Sequence, residues 1–253
     1  MPQPRRLRRF FSVSAISKAG QEIVLEKDET RHLRDTLRLE VGERCLVTDG
    51  KGKEAEARIE GFFLDGRTRL ILETVVASAG NTDKLVLKVY VAIVQKNKLD
   101  YLIEKSQELG VQEFIPLETE RTAVKMSEQN QGKVLLRWNK IAQEAAKQSG
   151  SLDLMKINVP QSFKESLLAI SRNETTAVFH PSESAIPFSD WTNRIQPCSS
   201  LHLFLGPEGG FSEKEISFAK NLPHCEAVSL GKRILKTDTA YLGVVSSLRF
   251  LFS

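Results

Sequence analysis

Two glycine-containing stretches hold the residues best suited to bind a ligand. LFLGPEGGFSEKE spans 203–215 and LGKRILKTDTA spans 230–240, and each begins at the end of a short apolar run of strand length. Glycine allows backbone conformations and close approaches that a side chain blocks. Two such loops at neighbouring strand ends could enclose a flat ligand with backbone groups. Plain strand-to-helix turns use the same glycines, so the loops alone leave both interpretations open.

Phosphate binding is not the chemistry that the first stretch favours. The sequence contains neither G-x-x-x-x-G-K-[ST] nor G-x-G-x-x-G. Glu208 would repel a phosphate placed on the loop. Ser212 and Glu215 form an S-x-x-E capping box, which takes up the amide donors that a phosphate would need.

Alternating strands and helices must position these loops. Strand-like runs include KLVLKVYVAIV, VQEFIPL, LMKINV, TTAVFH, LHLFLG and EAVSLG. Between them, NKLDYLIEKSQELG predicts a helix capped by Asn97 and ended by Gly110, and a second amphipathic helix ends at Gly150. This alternation predicts a parallel sheet covered on both faces, with ligands at the carboxyl ends of its strands.

The amino-terminal part has a different pattern. Residues 1–76 contain several short strand-like runs, with hairpin signals at Asp49-Gly50 and Asp65-Gly66 and one helix-like segment that ends at Gly42. We therefore predict a small β-rich domain over 1–76, a linker over 77–84 and an α/β domain over 85–253.

Composition limits the class of protein. Hydrophobic residues make up 41% of the 253-residue chain, which is enough for a core. The three cysteines are far apart and show no metal-ligand spacing, so we expect no disulfide framework, no metal and a reducing cytoplasm. No apolar run reaches membrane-spanning length, and we expect no membrane partner.

Basic residues are concentrated near the start of the chain. The net charge is +4, and four arginines crowd the first ten residues beside Phe10 and Phe11. The predicted RNA-binding residues are Arg5, Arg6, Arg8, Arg9, His32, Arg34 and Arg38. A solvated basic face would look the same, and both interpretations stay open.

The two glycine stretches together resemble those of the SPOUT methyltransferases. Within that class the chain is similar to the ribosomal RNA small subunit methyltransferase E family. RRFF, HLRDTLRLEVGE, DYLIEKSQELGV, ERTAVK, RWNKIAQEAAKQSG and FHP all look like that family's segments in its order. The resemblance implies a carboxyl-terminal parallel sheet with a trefoil knot, preceded by a PUA-like barrel domain. It also implies a homodimer formed through the knotted domain, S-adenosyl-L-methionine as cofactor, and methylation of uridine N3 in small-subunit ribosomal RNA.

Site residues carry over from the resemblance by position. The implied cofactor-binding residues are Phe179, His180, Leu205, Gly206, Glu208, Gly209, Gly210, Leu230, Gly231, Arg233, Ile234, Leu235 and Ala240. Arg121 and Arg9 are the candidate catalytic residues, because a guanidinium could stabilise the anion left when uridine N3 loses its proton. The alternative for Arg121 is a surface pair with Glu118 or Glu120, and for Arg9 it is RNA backbone binding.

Two positions depart from the family pattern. Asp238 stands where the family usually has Glu, so the carboxylate is retracted by one methylene, and Ser151 stands where an arginine is common. Asp238 leaves open a non-catalytic RNA-binding assembly factor of the same fold. A SPOUT enzyme acting on transfer RNA ribose is a second alternative, which the β-rich amino-terminal domain disfavours.

Overall fold

The structure is a computed structural model that describes residues 7–77, 85–122, 128–196 and 199–252. The chain forms two compact units. The first is Met1–Thr82 together with Ala146–Leu154, and the second is Asp83–Ala145 together with Met155–Ser253. The expected linker falls mostly outside the described residues.

The first unit contains a five-stranded sheet. Its elements are β1 (Arg9–Phe11), β2 (Glu22–Leu25), α1 (Lys27–Arg31), a π-helical turn (His32–Thr36), β3 (Arg44–Thr48), β4 (Lys53–Phe62) and β5 (Thr68–Ala77). The strand order is β1-β3-β4-β5-β2, with β1 parallel to β3 and the other neighbours antiparallel. The two predicted hairpins are confirmed as β3–β4 and β4–β5. Gly50 and Gly66 lie in their turns with φ of +67° and +87°, a region that favours glycine.

Residues 146–154 differ from the expectation that 85–253 form one domain, because they pack with the first unit. Gly52 donates its amide to the carbonyl of Leu152 at 3.1 Å, and Leu154 donates to Gly50 at 3.0 Å. Lys147 pairs with Glu29 at 2.6 Å. Pairings between segments so distant in sequence leave no local pattern, so linear analysis could not find them.

The second unit contains an eight-stranded sheet whose strand pairings are all parallel. Its elements are β6 (Leu85–Ala92), α2 (Lys96–Glu108), β7 (Glu113–Glu118), α3 (Glu128–Ser149, of which the end from Ala146 belongs to the first unit), β8 (Lys156–Ile157), β9 (Gln161–Ser162), α4 (Phe163–Ala169), β10 (Thr175–Phe179), β11 (Ile186–Pro187), α5 (Phe188–Thr192), β12 (Ser199–Leu205), α6 (Glu213–Lys220), β13 (Cys225–Ser229) and α7 (Thr237–Leu251). The order β11-β13-β10-β12-β6-β7-β8, with β9 beside β7, places β10, β12 and β13 side by side.

Each face of this sheet has its own core, as the strand–helix alternation predicts. Along β12, Leu203 belongs to a buried cluster that includes Trp138 of α3 and Tyr241 of α7. The next residue, Phe204, points to the other face and joins a cluster that includes Ile216 of α6. The alternation of side chains along a strand thus lets one sheet bury helices on both sides.

Helix ends show where local signals succeed and fail. Gly110 and Gly150 follow α2 and α3 with φ of +67° and +83°, as predicted. The predicted cap Asn97 is wrong, because α2 begins at Lys96 and Gln95 occupies the cap position without a side-chain hydrogen bond. None of the helices in the described ranges is long and apolar enough to cross a membrane.

Candidate active site

A cavity of about 340 Å³ lies in the second unit, where β10, β12 and β13 end. All of the residues expected from the resemblance to bind a cofactor line this cavity. Arg121 also lines it, as do Pro181, Pro207 and Thr237, which the sequence did not single out. Because the three strands are neighbours in a parallel sheet, their carboxyl ends meet at one edge, and their loops form three sides of the cavity.

The first side is the loop 206–211, which we call the first glycine loop. Gly210 donates its amide to Pro207 at 2.8 Å and has a φ of +67°. A Cβ placed on Gly206 would lie 3.2 Å from the amide nitrogen of Phe211 and 3.3 Å from the carbonyl carbon of Gly210. These neighbours of Gly206 are backbone atoms that cannot turn away, so a side chain there would strain the loop, whereas Gly210 is favoured by its positive φ.

The first glycine loop leads directly into α6 through a capping box, as predicted. Glu215 donates its amide to Oγ of Ser212 at 3.1 Å, and the Ser212 amide donates to Oε2 of Glu215 at 2.8 Å. The box fixes the direction in which the chain enters α6.

The second side is the loop 230–236, which we call the second glycine loop. Gly231 has a φ of +103°, and its amide donates to Oγ of Ser229 at 3.2 Å. The side chain of Ile234 is 85% exposed although Ile234 lines the cavity. Thr237, at the start of α7, donates its hydroxyl to the carbonyl of Gly206 at 3.1 Å. This bond joins the start of α7 to the first glycine loop.

The third side is formed by Phe179 and His180 at the end of β10. The amide of His180 donates to the carbonyl of Val228 at 3.0 Å. Its ring atom Nδ1 is buried and has no hydrogen-bond partner among the described residues. Burial lowers the pKa of His180, and the charges of Lys220 and Arg121 act in the same direction. The lowered pKa favours the neutral imidazole at pH 7, and this ring lines the cavity beside Phe179.

Arg121 lies against the first glycine loop. Its Nη1 donates to the carbonyl oxygen of Gly209 at 2.6 Å, while the side chain remains exposed. The sequence alternatives were pairs with Glu118 or Glu120, and the hydrogen bond to Gly209 instead brings the guanidinium to the cavity.

Glu208, the charged residue in the first glycine loop, is 59% exposed and forms an ion pair with Lys98 of α2. This pairing lowers the pKa of Glu208 and raises that of Lys98. The carboxylate therefore tethers the first glycine loop to the start of α2. Asp238 lies in the first turn of α7, where its Oδ1 accepts the amide of Thr239 at 2.9 Å.

Residues proposed for RNA contact belong to the first unit. Arg8, His32, Arg34 and Arg38 are exposed, while Arg5 and Arg6 lie outside the described residues. Arg34 is paired with Asp35 at 3.0 Å. The guanidinium of Arg9 is bound to the Glu54 carboxylate, and both side chains are mostly buried, at 15% and 18% exposed. This pairing favours Arg121 over Arg9 as the arginine available to a reacting base.

Metal ligation has no support within the ranges that the structure describes. There, no group of three or more His, Cys, Asp or Glu side chains could hold a metal ion.

Sequence comparisons identify both parts of the chain. Residues 81–249 match the RNA methyltransferase domain family, and residues 25–61 match the PUA domain of RNA methyltransferases. The chain is 29% identical to ribosomal RNA small subunit methyltransferase E of Bacillus subtilis over 88% of each chain. It is 32% identical to the protein of the same name from Synechocystis, over 86% of this chain and 69% of the relative.

Solved structures show the same architecture. A methyltransferase from Legionella pneumophila, crystallised with bound S-adenosylmethionine, superposes with a TM-score of 0.87 at 27% identity, over 97% of this chain and 98% of the other. Ribosomal RNA small subunit methyltransferase E from Neisseria gonorrhoeae, bound to S-adenosylmethionine, gives 0.84 at 28% identity over 98% of each chain. In the present protein, the amino-terminal unit is PUA-like and the carboxyl-terminal unit has the parallel α/β sheet of the SPOUT class. The chain belongs to the ribosomal RNA small subunit methyltransferase E family of RNA methyltransferases.

Proposed function

We propose that this protein uses S-adenosyl-L-methionine to methylate N3 of a specific uridine in small-subunit ribosomal RNA. The observation that carries this proposal is the cavity at the ends of β10, β12 and β13, lined by all the residues that the family resemblance assigns to the cofactor. It lies in a chain that aligns over nearly its whole length with relatives solved with that cofactor.

The residues present suit S-adenosyl-L-methionine. A cavity of about 340 Å³ falls in the range of small-molecule sites, which begins at about 300 Å³. Phe179, Leu205 and Leu230 give it apolar walls for a flat base, and the glycine loops expose amide and carbonyl groups for a ligand's polar edge. The trefoil knot implied by the family would hold these loops together. We propose the knot because the family's fold contains one.

In this proposal the protein contributes positioning and charge stabilisation. When bound, S-adenosyl-L-methionine supplies an electrophilic methyl group. The loops would hold the methyl carbon and the uridine N3 in the geometry for attack. This positioning supplies the larger share of the rate gain for such a displacement. Arg121, held at the cavity by Gly209, would stabilise the negative charge that spreads onto the uridine carbonyl oxygens when N3 loses its proton.

Recognition of the RNA is proposed for the first unit. Arg8, His32, Arg34 and Arg38 are exposed there, and Arg5 and Arg6 would extend the same basic segment. Such residues bind phosphates with an affinity that falls as salt rises, because counterions are released on binding. Contact with the assembled small subunit, in the cytoplasm, would then supply the sequence selectivity.

A homodimer through the second unit is also part of the proposal. Ile234, Phe250 and Leu251 are large apolar side chains that are 85%, 76% and 63% exposed. Ile234 lies just before α7 and the other two lie in its last turn, so a second copy of the chain would cover exposed apolar groups at both ends of this helix. Sedimentation equilibrium should give twice the chain mass. A monomeric mass would contradict this part of the proposal.

Two measurements test the proposed reaction. Isothermal titration with S-adenosyl-L-methionine should show one site per chain, whereas a non-catalytic assembly factor of this fold need not bind the cofactor. Mass spectrometry of small-subunit ribosomal RNA nucleosides from cells lacking the protein should then show the loss of 3-methyluridine. An unchanged nucleoside profile would rule out the proposed substrate, and loss of a ribose-methylated transfer RNA nucleoside would favour the other SPOUT chemistry.

A further inference from the structure

Glu215 is a buried carboxylate with an unusual pair of partners. It lies in the first turn of α6 and is 3% exposed. Its Oε2 accepts the amide of Ser212 at 2.8 Å, which completes the capping box. Removing a carboxylate from water is costly unless hydrogen bonds replace the lost solvation, so both oxygens need donors.

The second oxygen reaches out of α6 altogether. Oε1 of Glu215 accepts the amide of Glu120 at 2.9 Å, although the two residues are far apart in sequence. A capping box needs only one oxygen of its glutamate. The other therefore connects α6, which the first glycine loop enters, to the loop that follows β7.

The connected loop is the one that presents Arg121. A compact turn holds it, in which Thr122 Oγ1 accepts the amide of Thr119 at 2.9 Å and the Thr122 amide donates to the Thr119 carbonyl at 3.2 Å. Within this turn, Glu120 is bound through its amide to Glu215, and the adjacent Arg121 reaches Gly209 at 2.6 Å. The turn is thus fixed to the middle of the first glycine loop and to the first turn of the helix that this loop enters.

We propose that Glu215 is a positioning residue for methyl transfer, which sets Arg121 at the cavity by holding the backbone of Glu120. This inference rests on the role of Arg121 in the proposed function. The carboxylate itself does not line the cavity. It contributes by fixing the turn that carries Arg121. Without the bond to Glu120, the Arg121 guanidinium would reach Gly209 from a less restrained loop.

The competing explanation is that Glu215 only caps α6. Two substitutions separate the explanations. Glu215→Gln keeps a side chain that still suits a capping box, but it replaces one carboxylate oxygen with an NH2 donor, so the Ser212 and Glu120 amides no longer each face an acceptor oxygen. Ser212→Ala removes the Oγ acceptor of the box and leaves the bond between Glu215 and Glu120 in place. Ser212 does not line the cavity.

Single-turnover methylation of assembled small subunits is the activity measurement. For Glu215→Gln we expect the rate at saturating RNA and cofactor to fall by about tenfold to a hundredfold, the size expected when a reacting group is misplaced by about 1 Å. Dissociation constants for both ligands should stay within about threefold. Ser212→Ala should keep the rate while lowering the melting temperature.

A double-mutant cycle with Arg121→Ala tests whether the effect passes through Arg121. Once Arg121 is absent, Glu215→Gln should cost less than about twofold in rate, because coupled residues act non-additively. Full additivity would overturn the proposal, as would equal rate losses in Glu215→Gln and Ser212→Ala. Glu215→Asp serves as a second variant if the glutamine protein fails to fold, since the shorter side chain cannot reach both amides.

Hydrogen exchange gives a measurement independent of activity. The Glu120 amide should exchange faster in Glu215→Gln than in the unmodified protein, and at an unchanged rate in Ser212→Ala. Unchanged exchange in both would overturn the inference. If the unmodified protein transferred no methyl group, the proposed function would fail, and the exchange comparison would still decide whether Glu215 holds this turn.

Discussion

The two glycine loops form opposite sides of one cavity but are anchored very differently. The first glycine loop has its Gly209 carbonyl bound by Arg121, its Gly206 carbonyl bound by Thr237 and its Glu208 carboxylate paired with Lys98. The second glycine loop is anchored at its start by the bond from Gly231 to Ser229. From Gly231 to Lys236 its residues are exposed.

This difference suggests separate tasks for the two loops. A loop fixed by several hydrogen bonds sets the position of a ligand before it arrives, which lowers the ordering cost of binding. A loop with exposed apolar side chains such as Ile234 and Leu235 gains contacts only when a ligand or a second copy covers it. We therefore expect changes in the first glycine loop to cost more than equivalent changes in the second.

The largest effect should come from Gly206→Val in the first glycine loop. A Cβ there already meets backbone atoms of Phe211 and Gly210 at 3.2–3.3 Å, and a branched side chain would force the loop open. Binding of S-adenosyl-L-methionine in a calorimetric titration should be abolished. Gly132→Ala is the matched control, because a Cβ on Gly132 of α3 meets nothing within 4 Å. Retained affinity in Gly206→Val would break the assignment of this loop as a fixed wall.

The next effect should be that of Arg121→Lys, which alters an anchor of the first glycine loop while keeping its charge. Lysine lacks the planar fork of donors that could serve Gly209 and a uridine oxygen together. The single-turnover methylation rate should fall about tenfold to a thousandfold, the upper end being that of a lost oxyanion donor. Cofactor and RNA dissociation constants should barely move. The control is Arg172→Lys, at an exposed arginine that does not line the cavity, and it should leave the rate and both dissociation constants unchanged. If Arg121→Lys lowered only the RNA affinity, Arg121 would instead be a phosphate contact.

In the second glycine loop, Gly231→Ala should have a smaller effect. The φ of +103° strains any residue with a Cβ, but a Cβ on Gly231 meets nothing within 4 Å. The loop can therefore relax. Cofactor affinity should weaken by about fivefold to tenfold, corresponding to about 1 kcal/mol of strain. A loss as complete as that of Gly206→Val would show that the two loops are equally rigid.

The smallest effect concerns His180 on the third side. Since its pKa in the folded protein is lowered by burial and by nearby cations, the unfolded chain takes up the proton first as the pH falls. The contribution of neutral His180 to the free energy of unfolding is complete above the ordinary histidine pKa of about 6.5 and is lost as the pH drops below it. The difference in melting temperature between pH 7.5 and 5.5 should be smaller for His180→Asn than for the unmodified protein. An equal difference would mean that His180 does not contribute to the acid sensitivity.

Sequence reasoning located most of the fold because its signals are local. The apolar runs at β6 and β12 and the alternating burial along β4 mark strands by side-chain period. The capping box at Ser212 is visible as four consecutive residues. Two-residue strands such as β9 and β11 are too short to show a period, and the contact of residues 146–154 with the first unit depends on pairings that no local window contains.

The same distinction explains what was missed in the site. Lining residues such as Gly206 and Gly231 lie in recognisable motifs, so a resemblance could place them. The bonds from Glu215 to Glu120 and from Thr237 to Gly206 join segments that are distant in sequence. The sequence shows that Asp238 has a shorter side chain than the usual glutamate, but the bond from the Thr239 amide to its carboxylate depends on the backbone conformation at the start of α7.

The most direct test of the central claim is transfer of a labelled methyl group in vitro. Purified protein is mixed with isotopically labelled S-adenosyl-L-methionine and small subunits from cells that lack the protein, and the digested ribosomal RNA is analysed by nucleoside mass spectrometry. We predict one labelled 3-methyluridine per subunit, with none when Gly206→Val replaces the unmodified protein and an unchanged yield with Gly132→Ala. Label on another nucleoside or on ribose, or an RNA that stays unlabelled while the cofactor is bound, would contradict the account.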